Sequence, residues 1–198
     1  ISLTQKESVC VHDMIALTPL GGAVAQVDTF SGVNISEQPN WALASVTARH
    51  GQTEAVKKAA VDLMGIGLPD VGHVTVGSEL TAFWIGPDQW MFEAGYAEHE
   101  ELAAELKAGF ANSASVTEQT DGWARLDVTG PKVVAMFERL CSVDSRAMTS
   151  DRVSRSSIEH LGCFVVCRST GAHFSVFCPR SSAGSLHHAL CTAAQSLD

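Results

Sequence analysis

The sequence predicts an α+β protein made of two ferredoxin-like split βαβ units. Three observations support this fold class. A strand pattern passes directly into a helix pattern at residues 122–141. Hairpin patterns at residues 80–93 and 160–178 each lie between two helix patterns. The order strand, helix, hairpin, helix is therefore predicted to occur twice along the chain.

Residues 1–40 are predicted to be an extended N-terminal arm. The segment shows no lasting helix or strand period and is interrupted by turn-forming residues, namely Thr18-Pro19, Gly21-Gly22, Ser31-Gly32 and Pro39. A segment of this length without secondary structure is unusual inside a compact domain. Because it contains many aliphatic residues, we expect it to lie over another surface, which points to a partner protein.

Residues 41–120 are predicted to form the first unit, of the order βαββαβ. Its expected elements are a strand at 41–50, a helix at 52–64, hairpin strands at 80–85 and 89–93, a helix at 98–110 and a strand at 115–119. Gly65 ends the first helix, and Gly86-Pro87-Asp88 forms the turn of the hairpin. The second helix has an apolar stripe of Leu102, Leu106 and Phe110.

Residues 121–198 are predicted to form the second unit, of the order β-α-β-β-α, packed with the first as one globular body. Its first strand has the alternation of a half-buried strand, with Trp123, Arg125 and Asp127 on one face and Ala124, Leu126 and Val128 on the other. Gly130-Pro131 then turns the chain into an amphipathic helix with the apolar stripe Val133, Met136, Phe137 and Leu140. A polar loop at 142–157, a hairpin of residues 160–167 and 172–178, and a helix from Ser181 or Ser182 follow.

Composition and charge limit the classes of function. The chain has 198 residues, of which 45% are hydrophobic and 18% charged, and no run is long and apolar enough to span a membrane. The net charge of −9, without a local Lys/Arg cluster, argues against binding to nucleic acid. The glycine-rich motifs that bind dinucleotides or triphosphates and the nucleophile elbow of hydrolases are absent from the sequence.

The six cysteines form no Cys-x2-Cys pair, which predicts reduced, buried thiols in a cytoplasmic protein. The hairpin holds a set of zinc-type side chains, namely His160, Cys163, Cys167, His173 and Cys178. Cys163 and Cys167 lie roughly 13 Å apart along one strand, too far to share a metal ion. Core thiols are therefore the favoured interpretation, and zinc is the alternative.

Alternation also predicts the two faces of this hairpin. We expect Cys178 to share a face with Phe164, Val166, Phe174 and Val176, and the other face to carry Cys163, Val165, Cys167, Ser175 and Phe177. Both faces are apolar, so each needs a cover, either from the helices of this chain or from another chain.

Other histidines give no stronger signal. The neighbours His187 and His188 cannot face one ligand from a helix and are expected to be solvated, and His12-Asp13 is expected to be an exposed or satisfied pair. We therefore expect no catalytic, cofactor-binding or metal-binding residue in this chain.

Three segments carry a resemblance to a known family. LTAFWIGPDQWMF at 80–92, DGWARLDVTGP through LCSVD at 121–144 and FCPRSSA at 177–183 resemble, in order and spacing, the gamma subunits of heterotetrameric sarcosine oxidase. The resemblance runs from about residue 41 to the end. The wider superfamily is that of the glycine-cleavage T-protein, which is similar at residues 123–140 and at Thr170-Gly171.

The resemblance implies the fold of a T-protein N-terminal domain and the role of an accessory subunit in a four-chain flavoenzyme. Such enzymes oxidatively demethylate sarcosine to glycine, with hydrogen peroxide and either formaldehyde or methylenetetrahydrofolate as further products. FAD, FMN, NAD, zinc and tetrahydrofolate are expected on the alpha, beta and delta partners and none on this chain. The resemblance supplies no catalytic residue.

Two functions follow for testing. The first is a non-catalytic assembly subunit, supported by the arm, the two-sided apolar hairpin and the tryptophans Trp41, Trp84, Trp90 and Trp123. The alternative is a stand-alone aminomethyltransferase-like protein that binds tetrahydrofolate. Ala172 stands where folate-using relatives usually have an acidic residue after Thr-Gly, which argues against folate chemistry by this chain alone.

Overall fold

Two antiparallel sheets and four α-helices make up the part of the chain that the computed structural model describes, residues 15–65 and 67–197. The strands are β1 (Val27–Phe30), β2 (Val33–Glu37), β3 (Trp41–Ala48), β4 (Val74–Val76), β5 (Thr81–Gly86), β6 (Gln89–Gly95), β7 (Ala114–Glu118), β8 (Trp123–Thr129), β9 (Val153–Ile158), β10 (Leu161–Ser169) and β11 (His173–Pro179). The helices are α1 (Thr53–Met64), α2 (Leu102–Phe110), α3 (Val133–Leu140) and α4 (Ala183–Gln195). Within those ranges, none of the helices has the length and apolar composition needed to cross a bilayer.

The first sheet has the strand order β4-β5-β6-β3-β7, and all its strands lie between residues 41 and 118. Leaving aside the short edge strand β4, the order β5-β6-β3-β7 with two crossover helices is that of a ferredoxin-like split βαβ unit. The predicted apolar stripe of α2 is confirmed, because Leu102, Leu106 and Phe110 are buried.

The second sheet has the order β1-β2-β8-β11-β10-β9. Strands β8, β10 and β11 with helices α3 and α4 form the second unit, and β9 lies outside β10 as β4 lies outside β5. The place beside β8 that corresponds to β7 in the first unit is taken by β2, from the N-terminal region. The predicted α+β fold class with two ferredoxin-like units is confirmed.

The prediction of an extended arm is wrong for residues 27–37, which form the β1–β2 hairpin. Val33 and Ile35 are each 1% exposed and alternate with the exposed or half-buried Asn34 and Ser36. Strand β2 pairs with β8, whose backbone groups would otherwise form a free sheet edge. The alternation covers only five residues after Gly32, too few to stand out in the sequence without its partner strand.

The loop before this hairpin is hydrogen-bonded to β2. Glu37 is 3% exposed, and its carboxylate accepts hydrogen bonds from the backbone N–H groups of Leu20 (2.7 Å) and Gln26 (3.1 Å). The loop from Thr18 to Gln26 is therefore closed around one buried side chain.

The two sheets pack face to face, and helices cover their outer faces. Helices α1 and α2 lie on the first sheet and α3 and α4 on the second, each pair with its own apolar core. The inner faces meet in a third core, where the rings of Phe83 and Phe177 are 5.1 Å apart. The order of layers is therefore helices, sheet, sheet, helices.

The alternation predicted within β10 and within β11 is present, but the predicted register between the two strands is wrong by one residue. Phe164 pairs with Phe177 and Val165 with Val176, and a bulge between Cys167 and Ser169 separates this register from the turn. Such a bulge moves every side chain of one strand to the other face relative to its partner. Cys178 consequently lies with Cys163 and Cys167 under the helices, and the opposite face packs on the first sheet.

Gly130, in the turn that joins β8 to α3, lies next to two other turns, the β1–β2 turn at Gly32 and the β10–β11 turn at Ala172. Its N–H donates to the carbonyl of Ala172 (3.0 Å), and Lys132 donates to the carbonyl of Gly32 (3.0 Å). Gly130 has φ +129°, and a Cβ there would lie 2.4 Å from the Gly32 oxygen. Only glycine allows the β1–β2 turn to approach this corner so closely.

We expect Gly130→Ala to destabilise the protein more than Gly171→Ala. Gly171 also has a positive φ, of +69°, but open space around it, so its substitution should cost about 1–2 kcal/mol for backbone conformation alone. Gly130→Ala should cost at least about 1 kcal/mol more, because the β1–β2 turn has to move. Urea unfolding measures both. Equal costs would mean that the turn does not need this contact.

Candidate functional site: a buried charge cluster and an adjoining groove

Five polar side chains face one another between the two sheets, and we call them the inter-sheet charge cluster. They are Glu93 of β6, Arg125 and Asp127 of β8, Arg168 of β10 and Ser175 of β11. Glu93 is 1% exposed, and Arg125 and Asp127 are 6% exposed. Two carboxylates and two guanidinium groups balance in charge, as buried ions must.

The contacts of the cluster join the two sheets. Arg125 donates to both oxygens of Asp127, from Nε to Oδ1 (2.8 Å) and from Nη2 to Oδ2 (3.0 Å), and its Nη1 donates to Glu93 Oε2 (3.3 Å). Arg168 donates from Nη2 to the same Glu93 oxygen (2.9 Å), and a second bond joins its Nη1 to Oε1. Glu93 of the first sheet thus holds two arginines of the second.

Ser175 and His173 complete the surroundings of Asp127. The Ser175 hydroxyl donates to Asp127 Oδ1 (2.6 Å) and accepts from Arg168 Nε (2.8 Å), while His173 Nε2 lies 3.0 Å from Oδ2. Burial alone raises the pKa of Asp127, but the contacts with His173, Arg125 and Ser175 outweigh it and hold the pKa well below its usual value. Asp127 is therefore ionised and fully engaged.

One end of the cluster approaches the surface beneath Trp41. The Arg125 guanidinium lies 4.2 Å from the centre of the Trp41 ring, a cation–π contact. A cavity of about 30 Å³, enough for one water molecule, lies beside Arg125 and is lined by Trp41, Trp123 and Arg180 among others.

This cavity adjoins a larger depression of about 530 Å³, which we call the groove. Its lining residues are Ala16, Leu17, Thr18, Ala23, Val24, Ala25, Pro39, Asn40, Tyr96, Thr120, Asp121 and Arg180. Arg180 donates to the carbonyl of Leu17 (2.7 Å) and lies 3.5 Å from Asp121, so it connects the loop before β1 to the corner before β8.

Several apolar side chains in or near the groove are open to solvent. Ile15 is 72% exposed, Leu17 48%, Val24 80% and Val27 63%, and they follow one another in the segment 15–27. Leu17 and Val24 line the groove, and exposed apolar side chains gathered in a depression are typical of a surface that binds another molecule. The groove is therefore a candidate binding surface, whereas the carboxylates of the cluster are taken up by arginines and have no free role as a base.

The zinc-type side chains of the hairpin lie in three different places. His160 is exposed at the turn between β9 and β10, His173 lies against Asp127, and the cysteines lie under the helices. Burial raises the pKa of the thiols of Cys163 and Cys191 to about 11 and of Cys178 to about 12. These thiols are protonated at neutral pH and are not nucleophiles. Cys10, His12 and Asp13 lie outside the described residues.

The sequence interpretation missed the charge cluster, although two signals were present. Glu93 is a lone acid within the apolar strand pattern Trp90-Met91-Phe92, and Arg125 and Asp127 share one face of an otherwise apolar strand. The prediction of a half-buried β8 is wrong, since its polar face lies against the first sheet. Alternation gives the face of a side chain but not whether that face meets water.

Comparison with protein-family models and with curated proteins finds no match. Among solved structures, the chain is similar to a chain of the heterotetrameric sarcosine oxidase from Corynebacterium sp. U-96 in complex with pyrrole 2-carboxylate. The TM-score is 0.72 at 20% identity, over 86% of this chain and 88% of that chain.

A second similar structure is the glycine cleavage system aminomethyltransferase T from Bartonella henselae. The TM-score is 0.58 at 15% identity, over 82% of this chain and 46% of that chain, so this chain spans less than half of that protein. At these identities the likeness is one of fold. The expected T-protein-like fold is confirmed.

We expect Glu93→Gln to destabilise the protein by about 3–5 kcal/mol, because Glu93 accepts hydrogen bonds from both Arg125 and Arg168 and its loss leaves two guanidinium groups and one carboxylate in the cluster. Glu79→Gln, at an exposed position, is the matched control and should change stability by no more than about 0.5 kcal/mol. Urea unfolding at pH 7 measures both. A cost below about 1 kcal/mol for Glu93→Gln would show that the cluster contributes little to holding the sheets together.

We expect Asp127 to make stability dependent on pH in the acid range. Its folded-state pKa is below the value of about 3.9 for an unfolded aspartate, so its stabilisation is complete above that value and is lost as the pH falls below it. The free energy of unfolding should therefore fall more steeply below about pH 4 in the wild type than in Asp127→Asn.

The control for this experiment is the range above pH 6, where the difference between the two proteins should be constant. Chemical unfolding at a series of pH values gives both curves. Parallel curves below pH 4 would contradict a lowered pKa for Asp127.

Proposed function

We propose that this chain is an accessory subunit, of the gamma type, of a heterotetrameric sarcosine oxidase in the cytoplasm. The supporting observation is the fold match, which covers 88% of a chain taken from such a heterotetrameric enzyme. The complex would oxidise sarcosine to glycine, with hydrogen peroxide and either formaldehyde or methylenetetrahydrofolate as products. FAD, FMN, NAD, zinc and tetrahydrofolate would belong to the alpha, beta and delta partners.

An assembly role for this chain agrees with the state of its charged side chains. Glu93 is buried and bonded to Arg125 and Arg168, so its protonation would weaken the contact between the sheets. Asp127 is buried and bonded to Arg125 and Ser175 within the second sheet. The cysteine thiols with strongly raised pKa values are buried or half-buried. These carboxylates and thiols of the described residues are therefore better suited to a structural role than to proton transfer or nucleophilic attack.

The groove and the segment 15–27 are the proposed docking surface for a partner subunit. The argument from the β10–β11 hairpin no longer supports a partner, because the first sheet covers its second face. Of the four tryptophans, Trp90 is 5% exposed in a core of this chain, whereas Trp41, Trp84 and Trp123 are partly buried. The partner is supported instead by the exposed Leu17, Val24 and Tyr96 around the groove. Arg180 and Asp121, which also line the groove, would supply polar contacts.

An aminomethyltransferase-like protein that binds tetrahydrofolate is the second candidate, because the fold is also similar to aminomethyltransferase T.

Purified alone, an accessory subunit should show no flavin absorbance and no saturable binding of tetrahydrofolate. When co-expressed with the alpha, beta and delta chains, it should co-purify with sarcosine oxidase activity. Saturable tetrahydrofolate binding by the isolated chain would favour the transferase instead.

We expect Val24→Asp to weaken co-purification with the alpha, beta and delta chains by about tenfold or more, because it places an unpaired charge in the docking surface. Val71→Asp is the matched control, since Val71 is 69% exposed and does not line the groove. Both variants should fold as the wild type does, as judged by circular dichroism. Equal recovery of partners with both variants would place the docking surface elsewhere on the chain.

A further inference from the structure

Three metal-type ligand atoms converge where the N-terminal hairpin meets the last helix. His187 Nε2 lies 2.7 Å from Asp28 Oδ2 and 3.4 Å from Cys191 Sγ, and the three atoms all lie within 4.8 Å of one another. His187 and Cys191 are four residues apart on α4, the spacing that places two side chains on one face of a helix. Asp28 reaches them from β1.

His187 is therefore not the solvated helix histidine that the sequence suggested. Its side chain is 19% exposed, whereas its neighbour His188 is exposed on another face of α4. The expectation that the two histidines do not share a ligand is consistent with this arrangement. The sequence interpretation predicted the same solvated environment for both histidines. The contact that distinguishes His187 joins it to Asp28, 159 positions away in the chain, and a local pattern does not indicate such a contact.

The geometry of the three groups is that of chelation and not of a proton relay. In a catalytic triad, the acid binds one ring nitrogen of the histidine and the nucleophile binds the other. Here Asp28 and Cys191 both approach Nε2, so no proton can pass through the imidazole from the thiol to the carboxylate. Three ligand atoms around one point are what a metal ion requires.

We infer that Asp28, His187 and Cys191 bind one Zn²⁺ ion. In tetrahedral zinc sites, Zn–S is about 2.3 Å and Zn–N about 2.0–2.1 Å, which places sulfur and nitrogen roughly 3.5 Å apart. The Sγ–Nε2 distance of 3.4 Å already fits this value, and the Asp28–His187 pair at 2.7 Å has to open by roughly 0.7 Å. The thiolate and the carboxylate would neutralise the ion, and the thiol proton would pass to solvent.

The surroundings leave room for a fourth ligand. The Asp28 side chain is 30% exposed, so a water molecule can reach the ion. Gln26 Nε2 lies 2.9 Å from Asp28 Oδ2 and 3.4 Å from His187 Nε2. Rotation of the Gln26 side-chain amide by 180° would place its oxygen near the position that its nitrogen now occupies, where it could bind the ion.

Such an ion would fasten the edge of the second sheet to α4. Strand β1 is the outermost strand, paired only with β2 in that sheet, and it precedes β2 in the segment that completes the second unit. Zinc bound by Asp28 would hold β1 against the helix that carries the other two ligands. The site departs from our expectation of no metal ligand in this chain and is independent of the proposed subunit role.

The test is metal titration of the full 198-residue chain, free of affinity tag and treated with a chelator. Titration with Co²⁺ should give one ion per chain, with visible bands of tetrahedral cobalt and a thiolate-to-cobalt charge-transfer band. One equivalent of Zn²⁺ should remove these bands and raise the melting temperature. Cys191→Ser should abolish the charge-transfer band, and Asp28→Asn should weaken zinc binding by about tenfold or more.

The matched controls are His188→Asn, Cys141→Ser and Cys10→Ser, which alter a neighbouring histidine and two other thiols. All three should keep the cobalt bands, the stoichiometry and the rise in melting temperature. Asp28→Asn changes a partly exposed edge position and should fold, so that loss of binding in this variant is not loss of structure. A charge-transfer band that survives Cys191→Ser, or no binding at micromolar metal, would overturn the assignment.

Discussion

Two sheets whose strands are apolar on both faces are stable in water only if every face is covered. Here each outer face is covered by two helices and each inner face by the other sheet, with Phe83 packed on Phe164 and Phe177. The contact between the sheets explains why the carboxylates of Glu93 and Asp127 are paired with the guanidinium groups of Arg125 and Arg168. Charges buried in that layer lose their hydration, so each must be matched by another charge in the same layer.

The second constraint is that each ferredoxin-like unit needs a strand beside its first strand. The first unit takes β7, which follows its second helix, whereas the second takes β2 from the N-terminal region. Because β2 pairs with β8, the β1–β2 hairpin lies against the last helix, and its turn at Gly32 contacts Gly130. The groove, the Glu37-bound loop and the convergence of Asp28 on His187 all result from it.

The structure thus separates the groups that hold the protein together from those that face outward. Ionised side chains with balanced partners lie between the sheets, where they contribute to the relative position of the two units. Exposed apolar side chains lie on the segment 15–27 and around the groove. A body of this kind is suited to complete an assembly, which is the role we propose.

Local patterns in the sequence were enough to predict the helices, the hairpin turns and the passage from β8 to α3, because a helix stripe or a strand alternation depends on neighbours within a few residues. The faces of β8 were also predictable, with Leu126 and Val128 directed to the helices. Tertiary structure alone decided that Arg125 and Asp127 meet Glu93 rather than water, that Val33 and Ile35 belong to a strand, and that a bulge after Cys167 sets the hairpin register. Each depends on a partner far away in the chain, and periodicity does not identify that partner.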